Sequence, residues 1–320
     1  MDLFLPILLF ALGVVLVIKG GDFFVDAASW IAERSGIPKI IIGATVVSLA
    51  TTLPEMLVSV MAAAGGKVDM SIGNAVGSVS ANIGLIMALA LVFMPGVIRR
   101  RDYLLKSLLM VGAAALVAVC GLAGEVRLPI AVLLLAVFAA FMWENIHEAR
   151  KNMSAKNSEK AEKAPVTRRE TVTNILKFVL GTVGIVAGSQ LLVDNGSTLA
   201  RMAGVSERVI GITLIAVGTS LPELITTVTA IAKKQSALSV GNILGANIID
   251  LTLIMPLSSL ISGQALPVSS ALARIDLPVC LLICLVAVLP TLIRSKFSRW
   301  QGILLLVLYA GYVVLTCTAV

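Results

Sequence analysis

The chain has 320 residues, of which 58% are hydrophobic and only 13% charged, and its mean hydropathy is +1.01. Soluble proteins carry about 25% charged residues, so this composition excludes a soluble enzyme. The net charge of +7 does not indicate nucleic-acid binding, because the basic residues lie in short loops between apolar runs. The four cysteines have no CxxC spacing and there is a single histidine, so we expect neither a disulfide framework nor a zinc site.

Runs of about 20 mostly apolar residues, the length that spans a bilayer, recur along the chain. Their ten centres lie near residues 13, 50, 83, 114, 137, 184, 219, 251, 284 and 310. The first run lacks the basic leading region and the cleavage site of a signal peptide, so we expect it to remain as a membrane helix. The sequence therefore predicts an all-α polytopic membrane protein with ten transmembrane helices.

One long polar segment, KNMSAKNSEKAEKAPVTRRE, separates the first five runs from the last five. It is rich in Lys, Glu, Ser and Ala without aromatic residues, which is typical of a mobile linker. Of the 25 Lys and Arg residues, 19 fall in the alternate loops that include this segment and five in the opposite loops. Because short cytoplasmic loops carry the basic excess, we predict a cytoplasmic linker and both termini outside. Binding of anionic lipid is the alternative interpretation of the linker charges.

A shift of 168 residues places the second half of the chain on the first without a gap. IIGATVVSLATTLPEMLVSV at 41–60 aligns with VIGITLIAVGTSLPELITTV at 209–228. Since each half has an odd number of spans, the second copy enters the membrane from the opposite side, as in the inverted repeats of secondary transporters. We predict a first five-helix repeat over 1–147, a cytoplasmic linker over 148–170 and a second, inverted five-helix repeat over 171–320.

Each repeat carries a Pro-Glu pair in the middle of an apolar span, Pro54-Glu55 and Pro222-Glu223. Proline cannot donate to the carbonyl four residues back, so each pair frees one backbone acceptor. An acid in the bilayer interior is costly and is usually functional. A cation bound at these segments would neutralise the acids and give the freed carbonyls a partner.

Polar side chains extend these acids along helical stripes. In the second span of each repeat the stripes are Ser48, Thr52, Glu55 and Ser59, and Ser220, Glu223 and Thr227. In the third span they are Asn74, Ser78 and Asn82, and Asn242, Ala246 and Asp250. The polar ligands are all oxygens, which suit hard cations such as Ca²⁺ with its 6–8 oxygen ligands.

The TLPE and TSLPE segments, followed by GNAVGSVSAN and GNILGANIID, resemble the alpha repeats of the sodium/calcium exchangers, in the calcium/cation antiporter superfamily. The resemblance covers nearly the whole chain. It implies ten helices in a five-plus-five arrangement and exchange of Ca²⁺ for Na⁺ by alternating access, with the first and sixth helices sliding against a fixed bundle.

The resemblance also implies ion-binding roles for individual residues. Glu55 and Glu223 match the central acids that calcium and sodium share, and Asn82 and Asp250 match the remaining central positions. The other matched positions flank the acids or supply hydroxyl or backbone carbonyl oxygens: Thr51, Thr219, Thr52, Ser220, Ser78, Ser48 and Ala216. The chain departs from the family at Ala246, where a serine hydroxyl is expected, and at Val79, where the usual motif has Asn.

Two other functions are alternatives to exchange of Ca²⁺ for Na⁺. A calcium/proton or other cation/proton antiporter on the same fold requires only that the acids titrate during the cycle. An intramembrane acid protease requires a catalytic constellation, and the sequence has no GxGD segment, Ser/His pair or histidine cluster. We therefore expect a transporter and not an enzyme, with Ca²⁺, Na⁺ and the lipid bilayer as partners and with no cofactor and no obligatory protein partner.

Overall fold

The computed structural model describes residues 3–97, 99–158, 167–204, 218–263 and 265–318, and these are mostly helical. The α-helices are α1 (Phe4–Ser35), α2 (Lys39–Ile42), α3 (Ser48–Ala64), α4 (Val68–Ala81), α5 (Ala88–Phe93), α6 (Arg100–Leu122), α7 (Leu128–Ser158), α8 (Arg168–Met202), α9 (Leu221–Ala232), α10 (Ser236–Ile249), α11 (Met255–Ser262), α12 (Leu277–Arg294) and α13 (Arg299–Thr318). The π-helical segments are π1 (Gly43–Val47), π2 (Asn82–Met87), π3 (Asp250–Ile254) and π4 (Leu272–Asp276). The strands are β1 (Gly96–Val97), β2 (Glu125–Val126), β3 (Leu266–Pro267) and β4 (Lys296–Phe297).

Within the described ranges, nine helical segments are long and apolar enough to cross a membrane. They cover Phe4–Ser35, Lys39–Ala64, Met70–Phe93, Arg100–Leu122, Leu128–Met153, Arg168–Met202, Ser236–Ser262, Leu272–Arg294 and Arg299–Thr316. The shorter apolar helix α9 lies at the predicted seventh span, whose first part falls on residues 205–217, outside the described residues. The prediction of a polytopic helical membrane protein is confirmed.

The chain forms two compact units, and each unit takes segments from both halves of the sequence. Unit 1 consists of residues 1–51 and 144–242, and unit 2 of residues 52–143 and 243–320. The repeat boundaries at 147 and 171 concern the sequence pattern and stay predictions. Helix α7 continues to Ser158, well into the segment that we expected to be a linker. Lys, Ala and Glu, which are good helix formers, make this extension compatible with the local sequence.

In unit 1, α1 packs against α8 with the two backbones in contact. A methyl group added to Gly20 would lie 2.8 Å from the nitrogen of Ile185 and 2.9 Å from the oxygen of Gly181. A methyl group added to Gly13 would lie 3.0 Å from the oxygen of Gly188, and a methyl group added to Gly188 would lie 3.0 Å from the oxygen of Gly13. Only glycine permits such an approach. The helices run antiparallel, because the earlier glycine of α1 meets the later glycine of α8.

Ion pairs hold the C-terminal part of α1 in unit 1. The Nζ atom of Lys233, just after α9, lies 2.7 Å from Oδ1 of Asp26 and 3.2 Å from Oδ1 of Asp22. Burial alone would lower the pKa of Lys233, but hydrogen bonds to Asp26 and Asp22 outweigh it and the pKa is raised. The Arg34 guanidinium lies 2.9 Å from Oε1 of Glu170 in the first turn of α8. These pairs fix the end of α1 relative to α8 and α9.

In unit 2, two antiparallel strand pairs join loops that are distant in sequence. Strand β1 pairs with β4, with Gly96 opposite Phe297. Strand β2 pairs with β3, with Glu125 opposite Pro267. In the predicted order of spans, β1 and β3 follow the third and eighth spans, and β2 and β4 follow the fourth and ninth. The pairing is therefore crossed. Each pair joins a strand that follows the third span of one half of the chain to a strand that follows the fourth span of the other half.

A buried glutamine compensates for a proline in α12. Pro290 has no N–H, so the carbonyl of Val286, four residues earlier, loses its helical donor. The side-chain amide of Gln301, in the first turn of α13, donates to this carbonyl at 3.0 Å and to the carbonyl of Ala287 at 2.6 Å. Because Gln301 is fully buried, its amide ties α13 to the proline kink of α12.

Replacement of Gln301 by leucine should lower the free energy of unfolding by about 1–3 kcal/mol, because it leaves the Val286 carbonyl unpaired in an apolar interior. The measurement is equilibrium unfolding of the purified protein in detergent. In a Pro290→Ala background residue 290 regains an N–H for Val286, so the same leucine substitution should cost clearly less. An equal loss in both backgrounds would contradict the assigned role of Gln301.

Candidate functional site

The predicted ion-binding residues divide between the two units. Unit 1 holds Ser48, Thr51, Thr219, Ser220 and Glu223, and unit 2 holds Thr52, Glu55, Ser78, Asn82 and Asp250. All ten are buried except Thr219, which is half-buried. Ala216, the eleventh, lies outside the described residues. Each unit is described separately below.

In unit 2, Glu55 lies on α3 directly after Pro54, and its side chain is 1% exposed. The side-chain amide of Asn74, on α4, donates to the backbone oxygen of Glu55 at 3.2 Å and to the hydroxyl of Ser59 at 2.9 Å. The structure thus brings Asn74, on the polar stripe of the third span, into contact with Glu55 and Ser59 on the stripe of the second span.

Two of the other unit 2 positions begin π-helical turns, whereas Thr52 lies in α3 and Ser78 in α4. Asn82 is the first residue of π2 and Asp250 is the first residue of π3, and the two positions are related by the shift of 168. Helix α4, which carries Ser78, packs against π3. The hydroxyl of Ser78 and both amide atoms of Asn82 are buried without a hydrogen-bond partner in the described part of the chain. Short π-helical turns occur frequently at functional sites.

In unit 1, Thr51 lies beside Asn242. Its hydroxyl is 3.3 Å from the backbone oxygen of Ser48 and 3.3 Å from Oδ1 of Asn242 on α10. The close approach of the two segments depends on glycine, because a methyl group on Gly43 would overlap the carbonyl oxygen of Leu238. The structure therefore brings Thr51 of the second span into contact with Asn242 in the third span of the second half of the chain.

The second Pro-Glu pair of unit 1 stands at the start of a helix. Helix α9 has Ser220 as its N-cap and Pro222 in its first turn, where a missing N–H costs nothing. Pro54, by contrast, lies inside the continuous helix α3. Glu223 is fully buried, and the hydroxyl of Ser220 has no hydrogen-bond partner among the residues described. The two copies therefore present their Pro-Glu pairs on different local backbones.

One buried polar residue near these positions was not predicted. Asn247 lies on α10 three residues before Asp250, and both of its amide atoms are buried without a hydrogen-bond partner within the described ranges. Its repeat counterpart is Val79, so a comparison of the two halves did not select it. Its helical spacing from Asp250 is the signal that could have identified it.

The described residues contain no group of three or more His, Cys, Asp or Glu side chains arranged to hold a metal ion. An ion bound at these positions would therefore use hydroxyl, amide and backbone carbonyl oxygens besides carboxylates. Calcium accepts this mixture of oxygen ligands, whereas softer metals prefer sulfur or imidazole nitrogen.

The model of the family described as sodium/calcium exchanger protein matches residues 5–146 and again residues 173–318. The chain belongs to the sodium/calcium exchanger family. The resemblance carried by the TLPE and TSLPE segments is thereby confirmed. Each of the two matched ranges covers one of the halves that the shift of 168 residues relates.

Several known proteins resemble the chain along nearly its full length. The sodium/calcium exchanger MaX1 of Methanosarcina acetivorans is 29% identical over 346 residues, covering 96% of this chain and 97% of that protein. The inner membrane protein YrbG of Escherichia coli is 33% identical, covering 93% and 92%. A solved structure of the sodium-calcium exchanger NCX_Mj, soaked with Na⁺ and Sr²⁺, matches with a TM-score of 0.82 at 29% identity, covering 98% of this chain and 99% of that one.

Proposed function

We propose that this protein is a secondary active antiporter that exchanges Ca²⁺ for Na⁺ across the cell membrane by alternating access. The observation that carries the proposal is the burial of Glu55, Glu223 and Asp250 within apolar helical segments. Membership of the sodium/calcium exchanger family and the name of the relative MaX1 support it. The chain has no ATP-binding loop of the Gly-Lys-Ser/Thr type, so ion gradients are the proposed energy source.

The proposed ion ligands are the residues that the family resemblance selects. Glu55 and Glu223 supply formal charge for Ca²⁺, and the same carboxylates accept Na⁺ when calcium leaves. The neutral oxygens come from Asn82, from the hydroxyl groups and from the backbone, and Asp250 supplies a third acid. The full set is Glu55, Glu223, Asp250, Asn82, Thr51, Thr219, Thr52, Ser220, Ser78, Ser48 and Ala216. Competition of the two cations for one set of carboxylates makes their transport alternate, which is the basis of antiport.

One observation favours a second candidate, exchange of Ca²⁺ for protons. Ala246 is fully buried at a stripe position where the family pattern has a serine. The chain therefore offers one hydroxyl oxygen fewer for Na⁺, which needs oxygen ligands, whereas a proton needs only a carboxylate. Both candidates use the same acids and differ in the ion that returns.

Calcium uptake into proteoliposomes under one imposed gradient at a time separates these candidates. Liposomes containing the purified chain are loaded with Na⁺, with K⁺ or with acidic buffer, diluted into radiolabelled calcium, and compared with protein-free liposomes. We expect uptake when the internal ion is Na⁺. Uptake that follows the proton gradient and ignores Na⁺ would select the second candidate, and absence of uptake under every gradient would contradict both.

We also propose that the two halves form inverted five-helix repeats, over 1–147 and 171–320, joined by the linker at 148–170. Reciprocal glycine contacts support this arrangement, because Gly13 and Gly20 of α1 are related by the same shift of 168 to Gly181 and Gly188 of α8. The crossed pairing of β1 with β4 and of β2 with β3 also supports it. In both cases exchange of the two halves converts one contact into the other, as a two-fold axis requires.

The inverted arrangement predicts a cytoplasmic linker and both termini outside the cell. In a cysteine-free background, a membrane-impermeant maleimide added to intact cells should label Val320→Cys and should not label Lys160→Cys. Permeabilised cells provide the control that both cysteines can react. Labelling of the Val320→Cys variant only after permeabilisation would contradict the topology.

A further inference from the structure

The segment of α3 that carries Glu55 is weakly fixed by its own helix. Pro54 lies inside α3 and cannot donate to the carbonyl of Ala50, so the turn that precedes Glu55 lacks one of its hydrogen bonds. A helix with a missing bond bends and rotates more easily at that point. The direction in which the Glu55 carboxylate points therefore depends on contacts made after the proline.

Asn74 supplies two such contacts from the neighbouring helix. Its Nδ2 atom lies 3.2 Å from the backbone oxygen of Glu55 and 2.9 Å from the hydroxyl of Ser59. The amide has two hydrogens, one for each acceptor. Both bonds start from one Nδ2 atom, and the Glu55 carbonyl and the Ser59 hydroxyl lie side by side on the same turn of α3, so together they attach this turn to α4.

The same helix α4 presents the neutral oxygens of the proposed site. Ser78 lies one turn after Asn74 on the same stripe, and Asn82 one turn further at the start of π2. Asn74 therefore joins the backbone turn that bears Glu55 to the helix that carries Ser78 and leads into Asn82. A movement of a few tenths of an ångström matters here, because calcium ligands lie at 2.3–2.6 Å in known sites.

The repeat counterpart of Asn74 makes a different contact. In unit 1, Oδ1 of Asn242 lies 3.3 Å from the hydroxyl of Thr51, before the proline, and its Nδ2 atom has no hydrogen-bond partner among the described residues. The two asparagines thus act on opposite sides of Pro54. Of these two asparagines, Asn74 is the one that bonds to the turn bearing Glu55.

We infer that Asn74 is a positioning residue for calcium: it does not bind the ion itself but holds Glu55 in the orientation that binds it. This inference rests on the proposed function. It predicts that loss of the Asn74 amide weakens calcium binding while the capacity to transport persists, because the carboxylate remains but is less well oriented.

The test measures sodium-driven calcium uptake as a function of calcium concentration in proteoliposomes. Asn74→Leu removes both hydrogen bonds at similar volume and should raise the half-saturating calcium concentration about tenfold, with a smaller change in maximal uptake; one lost hydrogen bond of about 1.4 kcal/mol corresponds to tenfold. Ser59→Ala leaves the bond to Glu55 and should have a smaller effect. Ser80→Ala is the matched control on α4. The buried Ser80 hydroxyl bonds to the backbone oxygen of Val76 in the same helix and interacts with Cys280 on α12, so this variant removes a buried hydroxyl without removing either bond of Asn74.

Asn74→Asp provides a second variant in case the leucine protein does not fold, since a carboxylate has the same size and cannot donate to either acceptor. Parental calcium affinity in the folded Asn74 variants, or a fall in maximal uptake at unchanged affinity, would overturn the positioning role and leave the proposed function intact. Absence of calcium uptake by the parent protein would overturn the proposed function and this inference with it.

Discussion

The substitution Glu55→Gln or Glu223→Gln should reduce sodium-driven calcium uptake by a factor of at least about 100. The substitution keeps the side-chain volume but removes the formal charge of a carboxylate that we propose as a calcium ligand. In an environment of intermediate dielectric constant, the interaction of one charge pair at 4 Å is about 4 kcal/mol, which exceeds the free energy needed for this loss. Both carboxylates are buried, so water replaces the lost attraction poorly.

Asp250→Asn is the contrasting variant for this prediction. The repeat counterpart of Asp250 is Asn82, so one copy already has a neutral amide at this position. We expect the Asp250→Asn protein to keep calcium binding and to change its dependence on Na⁺ or K⁺. The three variants are reconstituted beside the parent and their uptake is compared at equal protein content. Robust uptake by either glutamine variant would show that its carboxylate is structural, and the proposed ligand set would have to be withdrawn.

The substitution Gly20→Val should prevent the normal packing of α1 against α8. The added Cβ atom would lie within 3 Å of backbone atoms of Ile185 and Gly181, and backbone cannot move aside as a flexible side chain can. The helices must separate, which removes packing along their whole length. In membranes close packing is a main source of helix association, so we expect a loss of several kcal/mol by comparison with overpacked cores.

The matched control is Gly112→Val on α6. A Cβ atom at Gly112 has no atom within 4 Å, and the position is exposed, so this variant should remain folded. Size-exclusion chromatography in detergent and the thermal unfolding midpoint measure the difference. A Gly20→Val protein that elutes as a single sharp species with the parental midpoint would contradict the tight packing of α1 on α8.

Nine of the ten predicted membrane spans are found as long apolar helices in the described residues, because length and hydropathy determine such helices directly. The polar stripes could also be predicted, since residues at helical spacing share a face. The contact of Asn74 with Glu55 and Ser59 could not, because it depends on how α3 and α4 pack. The π-helical turns at Asn82 and Asp250 could not be predicted. A change from the i→i+4 to the i→i+5 hydrogen bond depends on packing against neighbouring helices and leaves no hydropathy pattern.

Comparison of the two halves of the sequence identified the buried acids, but it could not predict how the local structures of the two halves differ. Pro54 and Pro222 occupy equivalent positions in the sequence, yet one lies inside a helix and the other in a first turn. Asn247 was overlooked because its counterpart is Val79. A repeat indicates what the two copies share, whereas their individual contacts depend on neighbours that the repeat does not encode.

The contact between α1 and α8 has a consequence for biosynthesis. Helix α1 ends at Ser35 and α8 begins at Arg168, so at roughly 5–20 residues per second the partner follows after about 7–27 seconds. During that interval lipid must cover the glycine face of α1. All residues of unit 1 have been synthesised once the chain reaches residue 242, whereas unit 2 also needs the C-terminal helices. We therefore expect unit 1 to fold first. A chain truncated directly after the linker should be unable to form either unit.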